Sequence, residues 1–152
     1  MGLFPTSYTN QALTVPKIAL NNPIGYKRGL RFDSKTGDLL RDGQNNIMSA
    51  SGIETWKRWC ELCFSTQRGK YQAYSTDFGI DIERALNATT HIEAEMILRK
   101  EITEAALADD YKRTDKVDKI TFEWIDADSV SVHTYLTGID GASIDVCTVI
   151  GR

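Results

Sequence analysis

Apolar and polar residues alternate in three segments near the C-terminal end of the sequence. The inward positions are Ile120, Phe122 and Trp124, then Val130, Val132, Thr134 and Leu136, and then Ile144, Val146 and Thr148. A period of two with polar partners predicts half-buried antiparallel strands. Turn-forming residues separate the segments at 126–128 and at 138–141. The pattern therefore predicts a three-stranded antiparallel sheet.

Two segments before these strands have helical periodicity, and each begins with a capping-box pattern. The two pairs are Ser51 with Glu54 and Thr90 with Glu93. At this spacing a hydroxyl caps the first turn while the glutamate reaches back to the cap. We expect one helix over about residues 53–65 and a second that ends near residue 108. The predicted buried stripes are Ile53, Trp56, Cys60 and Cys63, widened by Trp59 and Phe64, and Ala94, Leu98, Ile102 and Ala105.

The segments around the first helix are shorter and less regular. Residues 30–48 contain short apolar runs separated by turn signals, which predicts a small β-meander. Residues 70–88 have no long periodicity, and a short helical turn is expected around residues 81–86. The aromatic residues Tyr71, Tyr74 and Phe78 lie in this region, so we expect a loop that is pinned to the core.

The fold class that follows is α+β, with two main helices packed on a small antiparallel sheet. An extended basic arm over residues 1–28 and the short β-meander precede them, and residues 29–152 form a single domain. A length of 152 residues, with 41% hydrophobic and 26% charged residues, is typical of a globular domain. No apolar stretch approaches the roughly 18 residues of a membrane span, and no signal peptide is recognisable, so folding in a cytoplasm is expected.

The arm differs from the rest of the chain in charge and in proline content. Its basic residues include Lys17, Lys27 and Arg28, and no acidic residue precedes Asp33, although the whole chain has a net charge of −3. All 3 prolines also lie in the arm. Because a free tail normally lacks the many apolar residues found here, we expect the arm to lie on a surface. That surface belongs either to the chain's own body or to a neighbouring subunit, with a nucleic-acid backbone as a weaker third option.

The sequence contains no clear catalytic or metal-binding pattern. Cys60 and Cys63 have redox-motif spacing but fall on the buried stripe of a helix, so two core thiols are expected. A zinc site would need further ligands, and Cys147, His91 and His133 are scattered along the chain. We therefore expect neither a metal nor a cofactor.

Asp77 is the best single candidate for a catalytic carboxylate, because it stands beside Phe78 and near Tyr74. A glycosidase needs two carboxylates about 5–9.5 Å apart, and among 21 acidic residues some pair always satisfies a loose spacing. A stronger explanation is that Asp77 caps the turn before residues 81–86. The residues alone therefore predict a domain without catalysis, whose arm binds a partner.

The order of elements and one loop resemble a known family. After a Trp-bearing helix that opens with Ser51-Gly52-Ile53-Glu54, the loop reads Arg68-Gly69-Lys70-Tyr71, then Tyr74-Ser75, then Asp77-Phe78-Gly79. Over about residues 28–150 the chain resembles the baseplate-wedge proteins of contractile phage tails, historically called the lysozyme-like wedge family. It is most similar to the subgroup found in Gram-positive phages and tail-like bacteriocins.

The resemblance implies a structural protein and not an enzyme. In that family the protein joins the inner baseplate and its core bundle to the first ring of the tail sheath, and sheath segments extend its strands by β-augmentation. The implied partners are other wedge proteins, the sheath protein and, at the inner side, tube or hub proteins. The implied location is the tail baseplate of a particle assembled in the host cytoplasm. No nucleic acid, membrane or small-molecule substrate is expected.

A set of partner-binding residues follows from the resemblance and from the charge of the arm. These residues are Arg68, Lys70, Tyr71, Tyr74, Asp77 and Phe78 in the loop, and Lys17, Lys27 and Arg28 in the arm. Many family members carry a Glu-Pro-Arg motif before the final sheet, where this sequence reads Asp109-Asp110-Tyr111-Lys112-Arg113. Asp110 and Arg113 could supply the same two charges in a different geometry.

Two other functions stay open. A peptidoglycan hydrolase attached to a phage tail, which the family's older name implies, would need a carboxylate pair in a sugar-sized groove. A free-standing adaptor could share the α+β layout without belonging to a tail.

Overall fold

The computed structural model describes residues 26–33 and 35–151. In chain order the elements are β1 (Gly29–Leu30), β2 (Ser49–Ala50), α1 (Gly52–Ser65), α2 (Ile82–Leu86), α3 (His91–Leu107), β3 (Thr114–Asp126), β4 (Ser129–Gly138) and β5 (Ser143–Gly151). β1 pairs with β2, and the three long strands form a second antiparallel sheet in the order β3-β4-β5. The predicted α+β class is confirmed. Most of the arm, including Lys17, lies outside the described residues.

The three-stranded sheet has one apolar face, which the helices cover. Val132 on β4 lies opposite Phe122 on β3 and Thr148 on β5, so inward positions of the three strands line up across the sheet. α1 packs along β5, and α3 packs along β3. The hydrophobic core lies between this face and the two helices. The period-two pattern of the three segments correctly predicted which face is buried.

β3 begins at Thr114, well before the alternating segment from which it was predicted. Its pairing with β4 is irregular between Thr114 and Lys116 and again between Val117 and Lys119. An irregularity of this kind interrupts the side-chain alternation along a strand. The sequence pattern therefore detected only the part of β3 from Ile120 onward.

The capping box of α1 is formed as predicted. The Glu54 N–H donates to Ser51 Oγ at 3.2 Å, and the Ser51 N–H donates to Glu54 Oε2 at 2.8 Å. The Arg31 guanidinium donates to Glu54 Oε1 at 2.9 Å. The backbone bond from Ser51 and the contact with Arg31 together lower the pKa of Glu54.

The buried stripe of α1 is confirmed except at its first residue. Trp56, Cys60 and Cys63 are fully buried, whereas Ile53 is 40% exposed. The prediction for Ile53 is wrong because the core cluster along this helix begins only at Trp56, so the first turn lies outside it. Phe64 is also buried and widens the stripe as expected.

α3 has the predicted buried face. Its stripe residues are all buried, and they are Ala94, Leu98, Ile102 and Ala105. Thr90 caps the helix by accepting from the Glu93 N–H at 3.2 Å. The Glu93 carboxylate accepts from the Thr89 N–H at 3.1 Å. A complete capping box would use the N–H of the cap residue, Thr90, so this bond is displaced by one residue. No helix in the described ranges is long and apolar enough to cross a membrane.

The predicted meander is present as three very short segments that are bonded to one another. The Arg31 N–H donates to Met48 O at 3.0 Å, and the Leu40 N–H donates to Arg31 O at 2.9 Å. The Met48 N–H donates in turn to Leu40 O at 2.9 Å. Each segment therefore pairs with both others, and only Gly29–Leu30 and Ser49–Ala50 qualify as strands.

Tyr26, which the sequence pattern assigned to the arm, packs on the body. Its ring centroid lies 5.5 Å from that of Trp56, and its hydroxyl donates to Asp140 Oδ1 at 2.7 Å. Gly138 leaves room for it, because a Cβ there would collide with the Tyr26 hydroxyl. Burial and the bond to Asp140 raise the pKa of Tyr26 to about 12.

Candidate functional site

The aromatic loop, which we define as residues 66–80, connects α1 with α2 and is closed at its base. The Arg68 N–H donates to Ile80 O at 2.9 Å, and the Ile80 N–H donates to Thr66 O at 3.0 Å. Gly79 has a φ of +95°, and a Cβ there would lie 2.7 Å from Thr66 O. Only glycine tolerates both conditions, so the sequence favours this closure.

A buried glutamate on α3 holds the base of the aromatic loop. Glu101 is 6% exposed, and its Oε2 accepts from the Asp81 N–H at 3.1 Å. The same oxygen pairs with the Arg68 guanidinium at 3.1 Å. Arg68 also donates from Nε to Gly79 O at 3.2 Å. Arg68 therefore positions the loop within this chain, and its contact with a partner stays a prediction.

Four aromatic rings, which we call the aromatic ladder, run from the surface of the loop into the core. The centroids of Tyr71 and Tyr74 are 6.0 Å apart, and those of Tyr74 and Phe78 are 4.4 Å apart. Phe78 meets Trp59 edge to face at 5.7 Å. Phe78 is buried, whereas Tyr71 and Tyr74 are 52% and 41% exposed. The ladder holds two tyrosines in place at the surface.

The other predicted loop residues, Lys70 and Asp77, are exposed. Lys70 Nζ lies 5.7 Å from the centroid of the Tyr71 ring. The expected cap by Asp77 of the turn before residues 81–86 stays a prediction, and the N-cap of α2 is a different residue. Asp81 is the N-cap, and its Oδ1 accepts from the Arg84 N–H at 3.2 Å, because an N-cap directly precedes the first helical residue.

Arg113 forms a buried ion pair with Asp109. Arg113 Nε donates to Asp109 Oδ2 at 2.7 Å, and its terminal nitrogen donates to Oδ1 at 3.0 Å. The two residues are 3% and 1% exposed, whereas Asp110 is exposed. Lys112, at a φ of 52°, completes the turn that returns Arg113 to Asp109. The charge that faces Arg113 is therefore that of Asp109 and not that of Asp110.

The described basic residues of the arm lie at the surface. Lys27 Nζ is 4.8 Å from the centroid of the Tyr111 ring, and Arg28 is exposed. Their role in partner binding stays a prediction, as does that of Lys17.

The two edge strands of the long sheet are protected to different degrees. β3 carries charged residues along most of its length and has three register irregularities, and Arg99 donates to Ile120 O at 3.1 Å. β5 pairs with β4 without interruption, and Asp145 is its single charged residue. Charges and bulges keep edge strands from pairing with other chains. Among the described residues, no backbone hydrogen bond reaches the outer side of β5, and its low charge and unbroken register make it the less protected, open edge.

The cysteines show no redox site. Cys60 and Cys63 are buried in the core, as predicted, and burial raises the pKa of both thiols, that of Cys63 to about 11. Cys147 is exposed, and its Sγ lies 3.5 Å from His133 Nε2 on the neighbouring strand. In the part of the chain that the structure describes, no three His, Cys, Asp or Glu side chains are placed to hold a metal ion.

Two adjoining cavities lie between α1 and the end of β5. The larger, of about 650 Å³, is bounded by the end of α1, the aromatic loop, α2 and Gly151. The smaller, of about 320 Å³, lies between α1 and residues 147–149 of β5. Glu83 is the one carboxylate residue that lines the larger cavity, and Asp77 does not line it. The pair of carboxylates that a glycosidase needs is not brought together there.

The comparison with protein families gives the chain its class. Residues 28–141 match the model of the contractile injection system sheath initiators. The chain belongs to this family, and its role is a structural one in starting the sheath. The comparison with curated proteins found no match. Family membership confirms the predicted link to contractile tails and to sheath and baseplate components, whereas the wedge and the Gram-positive subgroup stay predictions.

Sequence reasoning missed two buried charged residues, Glu101 and Asp109. Glu101 falls three residues after Leu98 and directly before Ile102, on the apolar face of its helix. An acidic residue at such a position signals a buried pair, because acidic side chains are rarely buried without a partner. Asp109 stands four residues before Arg113, but its pairing depends on a turn that the sequence did not reveal.

Proposed function

We propose that this chain starts the tail sheath by offering the outer side of β5 to an extended segment of a sheath subunit. The contrast between the two edges supports this proposal, since β3 is charged and irregular whereas β5 is regular and almost uncharged. A segment that joins such an edge gains main-chain hydrogen bonds along its length. The nine residues of β5 are enough to specify one register.

The meander is the proposed contact with the baseplate. The meander exposes four large apolar side chains, Leu30, Phe32, Leu40 and Ile47, whose exposed fractions are 50%, 43%, 37% and 44%. Exposed apolar side chains that cluster in this way are typical of protein interfaces. With both contacts made, the chain would link the inner baseplate and its core bundle to the first sheath ring. The finer assignment to the wedge rests on the resemblance of the aromatic loop.

A proline scan of β5 tests the use of its edge. Amide groups on an antiparallel edge strand alternate between the neighbouring strand and the outside, so Cys147→Pro and Thr148→Pro remove bonds on opposite sides. The variant that loses an outward amide keeps its pairing with β4 and should keep the wild-type circular dichroism spectrum. We expect this variant to lose the ability to start assembly of purified sheath protein. Tyr135→Ala, on the open face of β4, is the control and should assemble sheath normally.

Two results would count against this function. A wild-type chain that neither binds sheath protein nor shortens the lag of its assembly would contradict the sheath-starting role itself. A folded proline variant, with its outward amide removed, that works as well as the wild type would show that the β5 edge is not used.

A further inference from the structure

The space between α1 and the outer edge of β5, which we call the groove, contains the smaller cavity and adjoins the larger one. We infer that the sheath segment added to β5 ends in a large apolar side chain, aromatic or leucine, that is seated in this cavity. This inference rests on the proposed function and names the type of side chain that the sheath segment must carry. We call the larger cavity the anchor pocket, lined by Leu62, Tyr71, Tyr74, Ile82 and Leu86 together with polar residues and Gly151.

α1 and the edge of β5 run side by side and form the walls of the groove. Lys57 Nζ lies 3.7 Å from Asp145 Oδ1 near the start of the strand. Further on, Leu62 lines the smaller cavity together with Val149, and it also lines the anchor pocket together with Gly151. The two cavities therefore adjoin, since Leu62 and Ser65 line both. Alternate side chains of a strand added to β5 would point into this groove.

The anchor pocket has an apolar wall of leucine, isoleucine and tyrosine side chains beside a polar rim that includes Lys70 and Glu83. Gln67 is already engaged, because its Nε2 donates to Asp81 Oδ1 at 3.1 Å and its Oε1 accepts from the Glu83 N–H at 3.0 Å. Leu62 is 38% exposed at the point where the two cavities meet. The tyrosines of the aromatic ladder form a rigid apolar wall with polar tips, which is typical of binding sites for large side chains.

An unpaired hydroxyl gives a second and independent indication. Thr148 lines the smaller cavity and is 8% exposed, and its Oγ1 is buried without a hydrogen-bond partner. A buried polar group of this kind normally has a partner. The unpaired hydroxyl marks the wall of this cavity as the place where the packing of the described residues is incomplete.

An extended segment fits the groove better than a helix does. The outer side of β5 carries main-chain groups that no other described residue bonds. A helix satisfies its own main-chain groups internally and would leave those of β5 unpaired, whereas a strand pairs with them. The occupant is therefore an extended chain whose last inward residue reaches the anchor pocket.

Binding measurements with purified sheath protein of the same particle test the inference. We expect Tyr74→Ala and Leu62→Ala each to weaken binding about tenfold or more, since anchor residues dominate interfaces. Tyr135→Ala is the matched control, because Tyr135 is 43% exposed and Tyr74 41% exposed, but Tyr135 lies on the open face of β4. Its binding should change less than about twofold, within the range of energetically neutral contacts.

A photo-crosslinking residue in place of Tyr71 identifies the occupant directly. We expect a crosslink to a large apolar residue in an extended segment of the sheath protein. Leu86→Lys provides a second pocket variant that leaves the contact between Tyr74 and Phe78 intact, and it should also weaken binding about tenfold or more.

The outcomes separate this inference from the function on which it rests. If the β5 proline variant loses sheath binding while Leu62→Ala, Tyr74→Ala and Leu86→Lys bind normally, the edge is used and the anchor pocket is not. A crosslink to a polar segment or to a sheath helix also overturns the inference. A wild-type chain that does not bind sheath protein overturns both.

Discussion

At the scale of single residues, Arg113 connects more of the molecule than any motif in the sequence suggested. Its side chain pairs with Asp109, and its guanidinium lies 5.5 Å from the Trp59 ring and 5.2 Å from the Tyr111 ring. Its carbonyl accepts from the Ile139 N–H at 3.1 Å. Arg113 thereby fixes the start of β3 against α1 and against the turn between β4 and β5.

Removal of one member of this buried pair should be strongly destabilising. We expect Asp109→Asn or Arg113→Met to lower the free energy of unfolding by about 3–5 kcal/mol, because each leaves the other charge buried without its partner. The double variant Asp109→Leu, Arg113→Met should recover most of that loss, since apolar replacements remove both charges. Urea unfolding monitored by tryptophan fluorescence measures the difference.

The exposed pair of Lys100 and Glu104 provides the control for this experiment. Its atoms are 3.8 Å apart and both side chains are more than half exposed. Lys100→Met should therefore change the free energy of unfolding by about 1 kcal/mol or less. Single variants of the buried pair that cost no more than this control would contradict the structural role of the pair.

At the scale of elements, the capping box of α1 does more than begin a helix. The Glu54 carboxylate binds the Ser51 N–H and also the Arg31 guanidinium, which belongs to the meander. The Glu54 carboxylate therefore connects the first turn of α1 to its cap residue, Ser51, and to Arg31 of the meander. The meander has little buried apolar surface of its own, so this polar connection fixes where its exposed side chains are presented.

Loss of the cap hydroxyl should destabilise α1 by a moderate amount. We expect Ser51→Ala to lower the free energy of unfolding by about 1 kcal/mol, because the Glu54 N–H loses its acceptor. Thr90→Ala should have a similar effect through α3, since its hydroxyl makes the same bond to Glu93. Chemical unfolding compares the two variants, and an unchanged midpoint for both would contradict the capping.

The contribution of this capping box to stability depends on pH, and the pKa of Glu54 sets the direction. Its pKa in the folded state is lowered from 4.5, first by the Ser51 backbone bond and then by Arg31. Its contribution to stability is therefore present above pH 4.5 and is lost as the pH falls through the lower, folded pKa. Glu54→Gln should show a smaller loss of stability than the wild type on acidification, and an equal loss would count against this assignment.

At the scale of the whole molecule, one layer of helices on one layer of sheet leaves the β5 edge and one sheet face for other proteins. α1 and α3 cover a single face of the three-stranded sheet. The turn between β4 and β5 is closed by Tyr26, whose ring packs on Trp56 and whose hydroxyl binds Asp140. Tyr26 therefore packs on the body through both its ring and its hydroxyl.

Two shortened chains test where the body begins. A chain that starts at Tyr26 should unfold at the same denaturant concentration as the whole chain if the arm adds nothing to stability. A chain that starts at Arg28 loses the ring on Trp56 and should be about 1 kcal/mol less stable, because the Tyr26 side chain is partly buried. The variant Tyr26→Ala in the whole chain is the control and should match the shorter chain. Equal stability of both shortened chains would show that Tyr26 is not needed.

Local interactions explain which parts of the fold could be read from the sequence. The caps at Ser51 and Thr90, the apolar stripe of α3 and the alternation in β4 depend on residues two to four positions apart. The start of β3 was missed because irregular pairing with β4 breaks the alternation there. The cap of α2 was not predicted, because several polar residues precede that short helix and only its exact start selects Asp81.

The sequence by itself determined the α+β class, the two capped helices, the three strands and the buried thiols, because each depends on patterns within a short stretch of chain. The aromatic loop, which carries the family resemblance, was also recognisable from consecutive residues of the sequence. Only the tertiary structure decided that β5 is the open edge, that Glu101 holds the aromatic loop, and that Leu62 and Gly151 meet at one cavity. These features join residues that lie far apart in the chain. Strand order and helix packing bring such residues together, and no local pattern of the sequence encodes either of them.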